Sequence, residues 1–235
     1  MQPLNRLKMW AGERFFSAML AFLFANQKAA YSKPVRGLVM FFFGRFIASR
    51  YHQVIAMYGD LYGRSLEAGL TQVSALLDRA PQLIVDCGAG TGFVSEALAS
   101  RFPEAHIIAL DAVPAMLLQA KHRLSDNGTR YSLVRCDTAA APLQDGCADL
   151  VVAQNTTPFV AEFGRLCRPE GVVLFTDSSA KAVVAKATAA FRATGQFDTV
   201  DGRATESGFY VAARRRQGVV PAAPSGSQSV DLATT

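Results

Sequence analysis

Leu83-Ile84-Val85-Asp86-Cys87-Gly88-Ala89-Gly90-Thr91-Gly92-Phe93 runs an apolar strand into a carboxylate and then into three glycines at alternate positions. Glycine lacks a Cβ, so this spacing allows a sharp turn with left-handed torsions and a close approach of backbone to ligand. A helix that starts just after such a turn offers unsatisfied N–H groups to polar or anionic atoms. Dinucleotide folds use the same physics with a Gly-x-Gly-x-x-Gly spacing. Here the spacing is Gly-x-Gly-x-Gly, and Asp86 precedes the first glycine.

Outward from this stretch, after Ala80-Pro81, short apolar runs alternate with longer mixed segments, the pattern of strand–helix units that builds a parallel sheet. Strands are expected at Leu83 to Asp86, His106 to Asp111, Tyr131 to Cys136, Leu150 to Gln154 and Val172 to Thr176. Helices are expected at Phe93 to Ser100, Val113 to Leu124 and Val160 to Cys167. A helix over Ala180 to Thr194 and two last strands, Phe197 to Val200 and Gly208 to Ala213, complete an α/β fold. It is a Rossmann-like, seven-stranded, mostly parallel sheet flanked by helices, with an N-terminal helical extension. Leu66, Leu70, Val73, Leu76 and Leu77 recur at helical spacing and predict a helix from Tyr51 to Leu77 that leads into the core. The expected division is a basic, aromatic helical region over 1–50, the α/β domain over 51–213 and a disordered tail over 214–235, where Pro221, Pro224 and Gly226 accompany little apolar mass.

The glycine stretch resembles the first motif of the class I S-adenosylmethionine-dependent methyltransferases, and the chain is similar to the type 11 group that contains the ubiquinone and menaquinone methyltransferases. Four further segments follow in the family's order. They are His106-Ile107-Ile108-Ala109-Leu110-Asp111, Val134-Arg135-Cys136-Asp137-Thr138, Ala148-Asp149-Leu150-Val151-Val152-Ala153-Gln154-Asn155, and the helix, turn and strand from Phe163 through Pro169 and Gly171 to Phe175. The resemblance implies S-adenosylmethionine as cofactor, wrapped by Asp86, Cys87, Gly88, Ala89, Gly90 and Gly92. It places Asp111, with Ala112 and Met116, at the ribose hydroxyls. Asp137, with Thr138, falls at the adenine amino group, and Gln154 and Asn155 fall beside the methyl.

The activity implied is methyl transfer by in-line displacement, in which the protein contributes alignment and exclusion of water. A phenol or amine acceptor would also need a proton removed, for which His52 is the candidate base; Asn155 is the other catalytic candidate. Family members that close an aromatic helix over the cofactor imply Tyr58 and Tyr62, four apart on one helical face, as substrate-lining residues. Asn155-Thr156-Thr157-Pro158-Phe159 is also similar to the Asn-Pro-Pro-aromatic motif of enzymes that methylate adenine or glutamine nitrogens. Two threonines stand in place of prolines, and a plain loop after a strand accounts for the segment equally well.

The net charge of +5 is uneven: residues 1–58 carry Arg6, Lys8, Arg14, Lys28, Lys33, Arg36, Arg45 and Arg50 against Glu13 alone. Up to about Ser49 these cations alternate with phenylalanines in what reads as two helices. The uncharged stretches Phe15 to Gln27 and Gly37 to Gly44 fall short of the roughly 20 apolar residues of a spanning helix. Cations beside large apolar side chains suit an anionic membrane surface; covering the core or joining two subunits in a homodimer are the plainer uses. Cys87, Cys136, Cys147 and Cys167 form no Cys-x-x-Cys pair, so no metal site is expected, and the thiols read as reduced in a cytoplasmic protein.

The expected substrate is a small-molecule acceptor, lipophilic because residues 1–65 are apolar and aromatic: a quinone precursor, a phospholipid amine or another hydrophobic metabolite. The alternatives are a non-catalytic binding or assembly protein that kept the fold and an RNA or protein methyltransferase. No appended RNA-binding module is visible, so nucleic acid is not an expected partner.

Overall fold

The computed structural model describes residues 17–42, 51–125, 130–178, 180–206 and 208–218, with side chains described except at 39–42 and 51–62. Strands β1 (Leu83–Cys87), β2 (His106–Asp111), β3 (Tyr131–Arg135), β4 (Ala148–Gln154), β5 (Cys167–Asp177), β6 (Phe197–Ala204) and β7 (Phe209–Arg215) form one sheet in the order β3-β2-β1-β4-β5-β7-β6. The first five run parallel, and β7 is antiparallel to both β5 and β6. β1 pairs with β2 on one side and β4 on the other, so its carboxyl end lies where the strand order reverses, the place where open α/β sheets bind ligands.

Both faces of the sheet are covered, which is why β4 reads as an unbroken apolar run and is buried along its whole length. Alternate residues leave a strand on opposite faces. Ile84, Leu150, Val152 and Leu174 pack with Leu66, Leu70 and Val73 of α4 (Tyr51–Leu76) and with Val94 and Leu98 of α5 (Phe93–Arg101). Val85, Val151, Val173 and Phe175 face the other way, toward Phe163 of α7 (Val160–Leu166) and Phe191 of α8 (Val184–Ala193). Between β2 and β3 lies α6 (Pro114–Ser125), and a short 3₁₀ turn, Lys181–Val183, opens the segment expected as one helix from Ala180.

The N-terminal region departs from the two helices expected. It holds three helical segments among the described residues, α1 (17–25), α2 (Gln27–Tyr31) and α3 (Lys33–Phe42), separated at Asn26 and Ser32. Leu20, Leu23, Phe24 and Ala30 belong to the same buried cluster as Phe175 and Phe209, and the Phe24 ring meets Phe175 edge-on at 5.1 Å. Each such large side chain contributes about 1.5–3 kcal/mol, so α1 and α2 complete one face of the core.

Two boundaries are corrected. β5 begins at Cys167, which pairs with Ala148; the next pair is Val172 with Leu150, and the expected turn at Arg168 to Gly171 is an irregularity within the strand, with Glu170 at φ 63°. At the other end β7 continues through Arg214 and Arg215, residues assigned above to the tail. Arg215 is 2% exposed, and its guanidinium donates to the carbonyls of Gly164, Arg165 and Cys167 at the end of α7. An arginine run looks like the start of a solvated tail, but here it donates to carbonyls at the junction of α7 and β5, where helical hydrogen bonding ends. The expected tail from residue 219 onward lies outside the described residues, as do 1–16 and 43–50.

Candidate cofactor site

Gly88, Gly90 and Gly92 take φ values of 77°, 55° and 81°, the left-handed region that glycine enters without penalty. The N–H groups of Gly88 and Ala89 donate to the Leu110 carbonyl at 2.8 and 2.9 Å. Asp111 then closes the loop from the end of β2: Gly90 N–H donates to its Oδ2 at 2.8 Å and Val113 N–H to its Oδ1 at 2.7 Å. A Cβ on Gly88 would lie 2.6 Å from Thr156 Oγ1, and one on Gly92 would lie 3.1 Å from the Ala120 backbone. The turn is closed to side chains from both sides.

Asp86, at the end of β1, is completely buried. Its Oδ2 accepts the Ser95 hydroxyl at 2.6 Å, while Oδ1 has no partner. Burial, reinforced by the charge of Asp111 and opposed by the Ser95 hydrogen bond, pushes the carboxyl up to about 7. Burial also raises Asp111, against the N–H groups of Val113, Gly90 and Ala112. A glycine turn crowded at Gly88 and Gly92, an orphaned buried acceptor and two carboxylates raised by burial together fit a ligand that brings positive charge and hydroxyl donors. S-adenosylmethionine, with its sulfonium and ribose, is such a ligand.

Asp137 follows β3. Its Oδ1 accepts Ala139 N–H at 3.0 Å, and its Oδ2 accepts from Arg36 Nη1, on α3, at 2.6 Å. At the end of β4, Asn155 has φ 51°, and its Oδ1 accepts Ser178 N–H at 2.9 Å and Ser178 Oγ–H at 3.1 Å, fastening β4 to the end of β5. α7 begins after Phe159, which cannot cap it. Its N–H groups at Val160 and Glu162 donate instead to Gln27 Oε1 at 3.3 Å and Tyr31 Oη at 2.9 Å, oxygens four residues apart on one face of α2. The Tyr31 ring lies 5.4 Å from that of Phe159, and burial raises the phenol above its ordinary range, so it stays neutral.

The structure therefore brings Asp86, the three glycines, Ala89 and Asp111 together, with Ala112 exposed and Met116 buried on the segment after β2. The Cys87 side chain is in the core and its thiol is held well above the ordinary range by burial, so only its main chain can serve the loop. Gln154 is buried at the end of β4, and Thr138 is half-buried beside Asp137. His52, Tyr58 and Tyr62 lie on α4, where their side chains fall outside the described residues. Sequence reasoning missed Arg36, Gln27, Tyr31, Ser95, Thr156 and Ser178. Only the capless start of α7 could have hinted at any of them.

Residues 84–195, from β1 through α8, match the family described as methyltransferase domain. The chain carries a class I S-adenosylmethionine-dependent methyltransferase domain. It is similar to the malonyl-(acyl-carrier protein) O-methyltransferase of Xylella fastidiosa, 33% identical over 112 residues that are 45% of this chain and 38% of that protein. It is also similar to the demethylmenaquinone methyltransferase of Thermus thermophilus, 30% identical over 111 residues, 46% of this chain and 50% of the relative. The chain spans half or less of these relatives' length. Among solved structures, a methyltransferase of Haloferax volcanii in complex with the activator Trm112 superposes with a TM-score of 0.60 over 73% of this chain and 97% of that one, at 14% identity, which is likeness of fold. In this methyltransferase domain the glycine turn and Asp111 are joined through Gly90 N–H, and the segment α1 to α3 is tied to the start of α7 by Gln27 and Tyr31 and to Asp137 by Arg36.

Proposed function

We propose that the chain is an S-adenosylmethionine-dependent methyltransferase that acts on a small, lipophilic acceptor, with a quinone precursor as the leading class. The observation that carries this reading is the glycine turn, crowded at Gly88 and Gly92 and closed by Asp111 through Gly90 N–H. When bound, S-adenosylmethionine would supply an electrophilic methyl group. The protein's part is to bind, orient and exclude water. Asp111 keeps lone pairs free beside the N–H groups it already accepts and can take ribose hydroxyls. Asp86 Oδ1 offers a buried acceptor to a cationic group, and Asp137 offers one to the adenine amino group. Asn155, occupied by Ser178, shapes the turn beside the methyl and leaves proton removal to a group such as His52.

Two features support a lipophilic acceptor. The N-terminal segment supplies an aromatic ring, Tyr31, next to Phe159, and one relative is named for a quinone acceptor, demethylmenaquinone. Phe22 and Leu38 stand 53% and 58% exposed on the same segment as the exposed Lys28 and Lys33, which supports seating on an anionic lipid surface. Among the described residues no helix is long and apolar enough to cross a membrane.

The test is calorimetric titration with S-adenosylmethionine beside an Asp111→Ala variant, followed by transfer of labelled methyl to quinone, amine and malonyl-thioester acceptors. The expected result is micromolar binding, weakened roughly ten- to a hundredfold in the variant by loss of a charged acceptor, and labelling of the quinone. Binding without transfer to any acceptor would favour a non-catalytic protein, and no binding by the folded wild type would sink the proposal. Flotation with anionic vesicles of the wild type beside a Phe22→Ser, Leu38→Ser variant, which alters only exposed side chains, separates membrane seating from contact with a second copy.

A further inference from the structure

Asp137 is already occupied at the atom a cofactor would use. Its Oδ1 is committed to Ala139 N–H within the turn after β3, and Ala140 N–H closes that turn on the Asp137 carbonyl, so the carboxylate is fixed in place. Its Oδ2 carries Arg36 Nη1 at 2.6 Å. An adenine amino group and a guanidinium are both donors, and although a carboxylate oxygen can accept two, a base and a guanidinium approaching the same Oδ2 compete for the space around it. We propose that Arg36 is a latch, holding α3 on Asp137 in the ligand-free chain and yielding that carboxylate to the adenine amino group, so that cofactor arrival frees α3. The inference rests on the reading of Asp137 as the adenine partner.

The build of the N-terminal segment favours such an exchange. α1 and α2 are bolted down, by Leu20, Leu23, Phe24 and Ala30 in the core and by Gln27 and Tyr31 on the start of α7. α3 is not. Past the extended backbone of Ser32, its Lys33, Pro34, Gly37 and Leu38 are exposed, Val35 alone is packed against the core, and the ion pair supplies the remaining attachment among its described side chains. That pair is single-pronged: Arg36 Nε is buried with no partner, and the Asp137 side chain is 55% exposed. A two-pronged arginine–carboxylate fork would be hard to displace, whereas here a guanidinium 18% exposed makes one contact to a carboxylate that faces water, which weakens the pair. A Cβ at Gly37 would meet nothing within 4 Å, so no packing at that position holds α3 once the contact is given up.

The test uses the full chain and S-adenosylhomocysteine in calorimetry, with hydrogen exchange read in parallel. Arg36→Met is expected to bind about two- to fivefold tighter, the factor by which a weak competing ion pair depresses affinity. Arg36→Lys, which keeps a donor for Asp137, should bind as the wild type does, and so should Arg64→Met, which breaks a distant exposed pair with Glu206. In the wild type, ligand should speed exchange over 33–38 while slowing it over 88–92; in Arg36→Met the 33–38 amides should exchange fast before ligand is added. Unchanged or weakened binding in Arg36→Met, or protection of 33–38 by ligand, would overturn the latch while leaving the cofactor site standing. Failure of the wild type to bind would overturn both.

Discussion

Two aspartates on neighbouring central strands show how differently the two edges of this sheet are built. At the amino edge Asp149 accepts four hydrogen bonds, from Gln82 and Leu83 N–H at 2.9 and 3.0 Å, Arg79 Nη2 at 3.0 Å and Arg168 Nε at 2.6 Å, and Arg168 reaches on to Asp78 at 2.7 Å. Burial works against this charge, yet the two N–H groups and two guanidiniums hold its carboxyl far below the ordinary range. At the carboxyl edge Asp86 has one hydroxyl partner and an orphaned oxygen, and burial pushes it up to about 7. The amino edge satisfies its groups and so holds the sheet together. The carboxyl edge leaves an oxygen of Asp86 unsatisfied, and perturbed carboxylates beside a glycine turn are a mark of binding sites.

The largest expected effect breaks the carboxyl edge alone. Gly88→Ala puts a methyl 2.6 Å from Thr156 Oγ1 on a backbone at φ 77°. Strain of about 1–3 kcal/mol falls on the turn itself, and calorimetry should show cofactor affinity down by roughly a hundredfold while the circular dichroism of the sheet is kept. A variant that binds as the wild type does would mean that the turn does not hold the cofactor.

A second pair of substitutions sharpens the comparison through pH. Asp149 has a depressed carboxyl, so its contribution is fully present above the unfolded value of about 3.9 and is lost as the pH falls below it. Asp149→Ala should therefore cost about 3 kcal/mol in urea unfolding at pH 7, and the difference from wild type should shrink in acid. Asp86 runs the other way. Its raised carboxyl keeps a proton in the fold that the unfolded chain has released, so wild-type stability falls as the pH rises from about 4 to about 7. Asp86→Asn, which mimics the protonated acid toward Ser95, should gain on wild type across that window. Parallel pH curves for Asp86→Asn and wild type would place the titration elsewhere.

The carboxyl edge was legible in the sequence where local chemistry decides it. The glycine spacing, Asp86 and Asp111 lie within one strand–helix–strand unit, and their roles follow from turn torsions and strand ends. What joins distant parts of the chain was not legible. Arg36 reaching Asp137 across 101 residues, and Arg215 reaching the carbonyls of α7 across some 50, look in sequence like surface charges. The N-terminal segment read as an appendage because its composition is basic and aromatic, although Leu20, Leu23 and Phe24 fill the core. The irregular start of β5 was hidden for a different reason: Pro169 and Gly171 read as a turn, while pairing of Cys167 with Ala148 extends the strand around it.

The smallest effect concerns a residue that belongs to one edge by position and to the other by character. Tyr31 sits at the carboxyl edge, yet its hydroxyl is committed like a group of the amino edge, accepting Glu162 N–H at 2.9 Å. Tyr31→Phe keeps the ring against Phe159 and leaves that N–H without an acceptor at the first turn of α7. The expected cost is about 1 kcal/mol, the usual worth of a helix cap or of one neutral hydrogen bond, read as a lower urea midpoint with unchanged slope. If the hydroxyl is only a cap, cofactor affinity and the KM for acceptor should stay within about twofold of wild type, since a cap lost at this cost leaves α7 folded. A large rise in KM with no change in stability would move Tyr31 from the scaffold to the acceptor pocket. The division between a satisfied edge and a poised one would then run through α2, with Gln27 on one side and Tyr31 on the other.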